Sequence, residues 1–404
     1  MSDVVETQGI VDPPAVPAGL ADRTRLLWVL LPLLAFGLAA LWLVSTDPLR
    51  SFNNGAPPVE KLTFERTILG PGGIHVLVRA GGSEPMTIAQ VQVDDAYWEF
   101  TQEPPGSIAR AATAWIHLPF PWVLGEAHAI KIVTNTGATF DHQIAVAVPT
   151  PTRDSTGLVS QALLGAFVGL FPVAVGLMFY PALRGVGRSG MNFLLALTVG
   201  LLAFLFVDAL GDAFELAGEA AAIFQGPVMV VLAAVASFLL LMAVGRREGT
   251  PTGLALATFI ALGIGLHNLG EGLAIGGAFA AGAAGLGTFL VLGFTLHNIT
   301  EGIGIAAPIL KVRPPLWAFA GLTLLAGGPA ILGLWIGSLA YAPQWSALAL
   351  AIGAGAILQV IIEVGSYLMR SDGQGLRALV IPSTMTGLAA GVGFMFATAM
   401  LVKI

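Results

Sequence analysis

The chain has 404 residues, of which 56% are hydrophobic and only 10% are charged. Soluble domains carry roughly 25% charged residues, so we expect an integral membrane protein. The formal net charge of −6 offers no basic surface for a nucleic-acid partner. The chain has no cysteine, which excludes disulfides, thiolate nucleophiles and cysteine-ligated metals. Any metal would therefore have to be held by His, Asn, Asp or Glu.

The N-terminal part of the chain divides into a polar and an apolar segment. Residues 1–25 are polar and contain proline, which is typical of a flexible tail, here expected in the cytoplasm. Residues 26–44 form an uncharged apolar run of membrane-spanning length, preceded by Arg23 and Arg25. A cleaved signal peptide is the alternative, but the run is longer than the usual ~7–15-residue apolar core of such peptides. We therefore favour an uncleaved transmembrane anchor.

Residues 51–150 have the composition of a water-soluble module outside the membrane. Three alternating apolar segments predict strands with one buried face. They cover residues 74–78, 129–133 and 144–148. Turn signals at residues 70–73 and 135–137 separate strands, so we expect a small all-β, sandwich-like domain. A Pro/Thr-rich linker at residues 151–157 joins it to the rest of the chain.

Eight further apolar segments are each long enough to cross a hydrocarbon core of about 30 Å as a helix. They cover residues 158–180, 191–216, 224–244, 253–280, 285–310, 316–339, 346–369 and 379–402. Basic residues concentrate in alternate loops, at Arg184, Arg188, Arg246, Arg247, Lys311, Arg313, Arg370 and Arg377. The positive-inside rule makes those loops cytoplasmic. We therefore expect a multi-pass protein of the plasma or inner membrane, with the β domain and the C-terminus extracytoplasmic.

Two polar clusters lie at the middle of the fourth and fifth predicted spans. A charged side chain at the centre of a transmembrane helix costs ~2.5–3.5 kcal/mol, which makes such residues candidates for function. The pattern His-Asn-x-x-Glu-Gly occurs in both spans. The candidate metal ligands are His267, Asn268, Glu271, His297, Asn298 and Glu301.

Helix geometry brings the polar side chains of each cluster together. At about 100° per residue, Glu271 lies one turn beyond His267 and Asn268 and between them in angle. Imidazole, amide and carboxylate ligands suit Zn²⁺, Fe²⁺, Mn²⁺ or Co²⁺, and two carboxylates neutralise one divalent cation. The alternative is that the histidines make helix–helix hydrogen bonds and the carboxylates are protonated or paired with them. That alternative leaves two costly carboxylates without a purpose.

These clusters resemble the fourth- and fifth-helix signatures of the ZIP (Zrt-, Irt-like) metal transporters. In that family a His-Asn-x-Pro-Glu-Gly motif and its partner form the transport site. The resemblance extends over residues 157–404, including the segment 355–363, and does not cover the tail, the anchor or the β domain. It implies an all-α bundle of eight helices that carries a divalent metal towards the cytoplasm as substrate. It also implies a homodimer in the lipid bilayer that hydrolyses no ATP.

The resemblance assigns roles to the clusters and also shows departures from the family. It implies that the His and Glu residues are the primary ligands and that the two asparagines bind a neighbouring second metal. Gly270 and Thr300 stand where the family has the motif proline, which leaves the expected helix kinks open. Ala330 stands where many members have a bridging Glu. We therefore expect one well-occupied metal and at most a weak second position.

Other intramembrane acids are candidates for the route of the metal. Asp208 and Asp212 lie deep in the second span and are candidates for metal entry, with a solvated helix end as the alternative. Glu363 matches an exit-side residue of the family. Its alternative is a salt bridge to Arg370, which lies seven residues further on nearly the same helix face. The four histidines of the β domain, His75, His117, His128 and His142, show no ligand spacing.

Transport of a divalent metal is the favoured function, with zinc as the first candidate and iron, manganese and cobalt also compatible. An intramembrane metal-dependent hydrolase that uses the same ligands is the alternative. The sequence contains no HExxH motif, and both Glu residues are needed as ligands. We therefore expect no enzymatic activity, no catalytic residues and no resident cofactor. The β domain could shield the entry, recruit a partner or mediate oligomerisation.

Overall fold

The structure is a computed structural model, and it describes residues 18–46, 59–150, 155–247, 249–280, 284–340, 342–371 and 375–402. Most of the predicted tail, at residues 1–17, lies outside the described residues, as do residues 151–154 of the predicted linker. Residues 1–58 form one unit and residues 59–404 form a second.

Within its described residues, 18–46, the first unit has one helix, α1 (Ala18–Thr46). The helix begins before the apolar run, so residues 18–25 of the predicted tail are helical. Its apolar part is Leu30–Trp42, and large side chains such as Phe36 are exposed on it. Such a surface suits contact with lipid, and the uncleaved anchor stays a prediction.

The predicted small β domain is confirmed. Its strands are β1 (Leu62–Gly70), β2 (Gly73–Ala80), β3 (Ile88–Val93), β4 (Ala96–Trp98), β5 (Thr101–Glu103), β6 (Thr113–Leu118), β7 (His128–Thr134) and β8 (Thr139–Ile144). They form two antiparallel sheets with the orders β1-β2-β6-β5 and β4-β3-β7-β8. Inward side chains of both sheets, such as Ile116 and Ile130, share one apolar core. Alternation of apolar and polar residues in β2, β6 and β7 produces this two-faced packing.

One predicted strand of this domain is wrong. Residues 74–78 and 129–133 fall within β2 and β7, and the two predicted turns connect β1 to β2 and β7 to β8. The segment 144–148, however, leaves the sheet after Ile144. Ala147 instead exchanges backbone hydrogen bonds with the loop at Gly125 and Glu126. The true strand β8 was missed because its outer face is polar and its apolar alternation is weak.

Among the described residues of the second unit, eight helical spans are long and apolar enough to cross a membrane, which confirms the predicted multi-pass organisation. The spans are Gly157–Leu183, Arg188–Glu219, Ala222–Gly245, Gly253–Ala280, Leu290–Ile309, Leu316–Leu339, Pro343–Arg370 and Pro382–Met400. Their helices are α2 (Ser155–Gly165), α3 (Phe171–Met178), α4 (Tyr180–Leu183), α5 (Arg188–Glu219), α6 (Gly226–Gly245), α7 (Gly253–Ala280), α8 (Ala284–Ala306), α9 (Leu316–Gly327), α10 (Pro329–Ala340), α11 (Pro343–Ser371) and α12 (Pro382–Val402).

Two of the spans are interrupted in the middle. A π-helical turn at Ala166–Leu170 separates α2 from α3 and is followed by Pro172. The sixth span breaks between α9 and α10 at Gly328, directly before Pro329. Proline lacks the N–H that continues a helix, which accounts for both interruptions. In contrast, α7 and α8 run through the two His-Asn-x-x-Glu motifs without a break.

Small residues bring the helices around the two motifs into backbone contact. A Cβ atom added at Gly272 of α7 would lie 2.2 Å from the carbonyl oxygen of Ala330 in α10. A Cβ atom added at Gly302 of α8 would lie 2.4 Å from the carbonyl oxygen of Val173 in α3. Only glycine permits these approaches. The interrupted spans are therefore held directly against the helices that carry the polar clusters.

Candidate metal centre

The two clusters meet between α7 and α8. Nε2 of His267 lies 2.9 Å from Oε1 of Glu271, and Nε2 of His297 lies 2.7 Å from the same oxygen. One carboxylate oxygen therefore stands between two imidazoles on different helices. The side chains of all three residues are buried. The predicted partnership of Glu271 with His267 is present, and it extends to His297 of the other helix.

Glu301 completes a group of three donors. Ligand atoms of His267, His297 and Glu301 all lie within 4.8 Å of one another. Glu301 is 2% exposed, and neither of its oxygens has a hydrogen-bond partner of normal geometry among the described residues. A buried carboxylate without such a partner is costly unless a cation or a proton compensates it. Two imidazole nitrogens and a carboxylate oxygen are donors that zinc and other first-row divalent ions accept.

The two asparagines are held by carbonyl groups of the interrupted spans. Nδ2 of Asn268 donates to the carbonyl oxygen of Ala326, at the end of α9. Nδ2 of Asn298 donates to the carbonyl oxygen of Val168, within the π-helical turn. The α-helical donor for Val168 would be the N–H of Pro172, which proline lacks. The carbonyl is therefore free to accept a hydrogen bond from Asn298.

These hydrogen bonds use the Nδ2 atom of each asparagine and leave its Oδ1 atom available as an acceptor. Oδ1 of Asn268 and Oδ1 of Asn298 are buried and accept no hydrogen bond from the described residues. Both asparagines are fully buried at 0% exposure. An amide oxygen in this condition can serve as a ligand to a hard or borderline cation. All six predicted ligands are thus brought together, with four of them in a tight group and the asparagines beside it.

Ala330, at the position where the resemblance would imply a bridging carboxylate, contributes no ligand. It is buried, and its Cβ would lie 2.8 Å from a Cβ atom added at Gly169. The methyl side chain therefore fills a close contact between the first and sixth spans. Glu271 and Glu301 are the two carboxylates of the cluster, and their combined charge of −2 matches that of one divalent cation.

A cavity of about 1080 Å³ connects the cluster to the β-domain end of the bundle. Its lining includes His297 at the inner end and Asp208 and Asp212 of α5 along its length. Glu215 and Glu219, on the same helix, also line it. The sequence predicted an entry role for Asp208 and Asp212, and both lie on this route. These four acids of α5 are therefore part of the cavity wall.

Glu363 lies on the opposite side of the cluster, near the far end of α11. Its Oε1 atom accepts a hydrogen bond of 3.0 Å from Nε of Arg246, at the end of α6. The alternative partner predicted from the sequence, Arg370, is wrong. The helix that supplies the cation is a neighbour in space, and no spacing along α11 could have indicated it. The exit role of Glu363 stays a prediction.

One buried polar residue on the same helix was missed by the sequence reasoning. Gln359 is 1% exposed, and neither atom of its amide has a hydrogen-bond partner among the described residues. A Cβ atom added at Gly263, one turn before His267, would lie 3.5 Å from its Oε1 atom. Gln359 therefore faces α7 between the cluster and Glu363. Its position one turn before Glu363 was the available signal.

The β-domain histidines have partners that the sequence spacing did not indicate. His75 and His117 face each other across β2 and β6, with their Nδ1 atoms 2.8 Å apart. Nε2 of His142 lies 2.8 Å from Oγ1 of Thr67, and burial lowers the pKa of His142 to about 4. Cross-strand register creates these contacts between residues far apart in sequence.

No protein-family model matches this sequence, and no curated protein matches it.

Proposed function

We propose that this chain is a ZIP-like transporter of a divalent transition metal. The observation that carries the proposal is the group formed by His267, His297 and Glu301, whose donor atoms lie within 4.8 Å of one another, midway along two apolar helices that are long enough to cross a membrane. A cavity that reaches His297 from one end of the bundle supports the same function, because a transported ion needs access from water.

Charge and ligand chemistry favour one transported cation of the zinc type. Glu271 and Glu301 supply two negative charges in a buried site, and one divalent cation neutralises them. Zinc is the first candidate, and ferrous iron, manganese and cobalt have compatible ligand preferences. The two asparagine oxygens beside the group provide at most a weak second position, since Ala330 adds no charge there.

The resemblance to ZIP transporters is the basis for the proposed direction of transport and oligomeric state. It implies import towards the cytoplasm by a homodimer in the plasma or inner membrane. Asp208 and Asp212 then serve metal entry, and Glu363, held by Arg246, serves release on the basic side of the bundle. The ion gradient drives the movement, so no nucleotide is needed.

Uptake of metal into liposomes tests the proposal directly. Purified full-length chain is reconstituted into vesicles that contain a zinc-sensitive dye, and the initial rate of Zn²⁺ entry is measured. We expect Glu271→Gln and Glu301→Gln each to lower the rate by about 10- to 100-fold, because Glu301→Gln removes a charged ligand and Glu271→Gln removes the negative charge that lies between the two histidine ligands. Competition with Fe²⁺, Mn²⁺ and Co²⁺ then ranks the substrates.

The matched control is Glu126→Gln, the same isosteric change at an exposed loop position of the β domain. This variant is expected to transport at the unaltered rate. A protein that moves none of the four ions, or a Glu271→Gln variant that transports normally, would contradict the proposal. Metal-dependent hydrolysis without uptake would favour the hydrolase alternative.

A further inference from the structure

The cavity that reaches the metal centre has a wall made by the β domain. Thr63, Glu65 and Thr67 of β1 line it, together with His142 and Gln143 of β8. The acids of α5 line the same space. The β domain and the bundle thus enclose one volume, and the polar faces of β1 and β8 border it.

Specific contacts fix the β domain in this position. Nη1 of Arg66 donates to the carbonyl oxygen of Leu339, at the end of the sixth span, over 2.6 Å. Nε2 of Gln344, at the start of α11, lies 3.3 Å from Oε1 of Glu65 in β1. The guanidinium group of Arg79 lies 5.6 Å from the centre of the Phe224 ring, before α6. The domain is therefore attached at several points around the mouth of the bundle.

A partly buried ion pair joins β1, the strand that carries this wall, to β2. Arg79 binds both oxygens of Glu65, through Nε at 2.5 Å and Nη2 at 3.1 Å. Glu65 is 3% exposed. A paired, bidentate carboxylate at this depth has one favourable geometry, because separation of the partners would leave a buried charge. The position of β1 along the cavity is therefore well defined.

The chemistry of the enclosed space favours cations. Asp208, Asp212, Glu215 and Glu219 contribute carboxylates from α5, and these outnumber the two cationic side chains of the lining, Lys61 and Arg66. Independently of these acids, Ser346 lines the cavity with its Oγ atom buried, at 1% exposure, and without a hydrogen-bond partner among the described residues. A hydroxyl in this condition points to a polar occupant of the cavity. Carboxylate-lined clefts raise the local concentration of cations.

We propose that the β domain forms the outer wall of the cation pathway, so that an ion reaches His297 by passing between β8 and α5. The charge on the inner face of β8 then controls the rate of entry. The proposal rests on the proposed function, since it concerns access to the same site. Its test measures access alone, so its outcome is separate from that of the uptake assay.

The absence of native cysteine makes access measurable. Ala274→Cys places one thiol on α7 inside the cavity, three residues beyond Glu271. The full-length variant is labelled with the cationic reagent MTSET and, separately, with the anionic reagent MTSES, and the two rates are compared. We expect MTSET to react faster than MTSES by at least about tenfold beyond their intrinsic ratio, because the cavity is acidic.

Charge changes at Gln143 test the contribution of the β domain. Gln143→Lys is expected to slow MTSET at Ala274→Cys by about threefold or more and to accelerate MTSES, and Gln143→Glu is expected to do the reverse. Thr139→Lys is the matched control, because Thr139 is exposed on the same face of β8 and lies outside the cavity lining. It lies about 13 Å away along the strand, beyond the ~10 Å Debye length at 0.1 M salt.

The outcomes separate the two proposals. Opposite effects of Gln143→Lys on the two reagents, with unchanged rates in Thr139→Lys, support the β-domain wall. Equal effects at both positions, no effect of Gln143→Lys, or no labelling of Ala274→Cys would overturn it. Loss of metal uptake together with the expected labelling pattern would instead reject transport while retaining the wall.

Discussion

The two clusters share one sequence pattern, yet their carboxylates have different surroundings. Oε1 of Glu271 is 2.7 Å and 2.9 Å from two imidazole nitrogens, whereas Glu301 has no hydrogen bond of normal geometry among the described residues. Glu271 is therefore hydrogen-bonded to His297 and lies against His267, and Glu301 is the carboxylate that is free to take a cation. Identical motifs can acquire different roles because each faces a different part of the other helix.

This difference predicts two distinct variants. We expect Glu301→Gln to weaken Zn²⁺ binding by about 10- to 100-fold with little change in thermal stability, since it loses a ligand charge only. Glu271→Gln should weaken binding and also lower stability by about 1–3 kcal/mol, because it disrupts buried hydrogen bonds. Titration calorimetry and thermal unfolding of the detergent-solubilised protein measure the two effects. Equal losses of stability would contradict the assignment.

The imidazole of His142 makes stability depend on pH. Burial holds the pKa of His142 at about 4, below its usual value of 6.5, so the folded protein favours the neutral ring. The unfolded chain binds the proton more readily, so this contribution to stability is complete above pH 6.5 and is lost as the pH falls towards 4. The loss is at most about 3 kcal/mol.

The variant His142→Gln tests this contribution. It retains a group that can hydrogen-bond to Thr67 but cannot be protonated in this range. We expect its unfolding temperature to fall less than that of the unaltered protein between pH 7 and pH 5. A parallel decrease in both proteins would show that other groups dominate.

At the scale of elements, two interrupted spans support two continuous ones. The π-helical turn before α3 and the end of α9 each offer a carbonyl group to an asparagine of the cluster. The motif proline that the resemblance would imply is missing from α7 and α8, while Pro172 lies in the neighbouring first span. The interrupted helices thus lie beside the site, and their free carbonyl groups hold the side-chain amides of Asn268 and Asn298.

This arrangement predicts the effect of Pro172→Ala. The new N–H group can bond to the carbonyl oxygen of Val168, which then competes with Asn298 for its acceptor. We expect metal affinity to decrease severalfold while the protein stays folded, as measured by calorimetry and by size-exclusion chromatography. Pro181→Ala, at the start of α4, is the control and should leave affinity unchanged. An unaffected affinity in Pro172→Ala would contradict the role of the π-helical turn.

At the scale of the whole molecule, the sequence predicted well what depends on local composition. Apolar length identified all eight spans, and alternation identified the β domain, because burial in lipid or in a sheet imposes those patterns. The helical spacing predicted that Glu271 lies beside His267. The similar depth of the two motifs in their spans indicated that the two clusters meet.

Contacts between distant elements could not be predicted in this way. The partner of Glu363 is Arg246 of another helix, and Glu65 is bound by Arg79 of the next strand. The polar strand β8 lacks a clear apolar pattern, so its position on the cavity was not expected. These features depend on how helices and sheets pack together, and the periodicity of a single segment does not predict that packing.

The central claim is that the cluster between α7 and α8 binds the transported metal. Anomalous diffraction at the zinc absorption edge, from crystals of the full-length protein grown with Zn²⁺, tests it most directly. We expect one strong peak at about 2.0–2.2 Å from nitrogen and oxygen atoms of His267, His297 and Glu301. A second peak beside the asparagines should be weak or missing. No peak between these helices, or two equally occupied ions, would contradict the account.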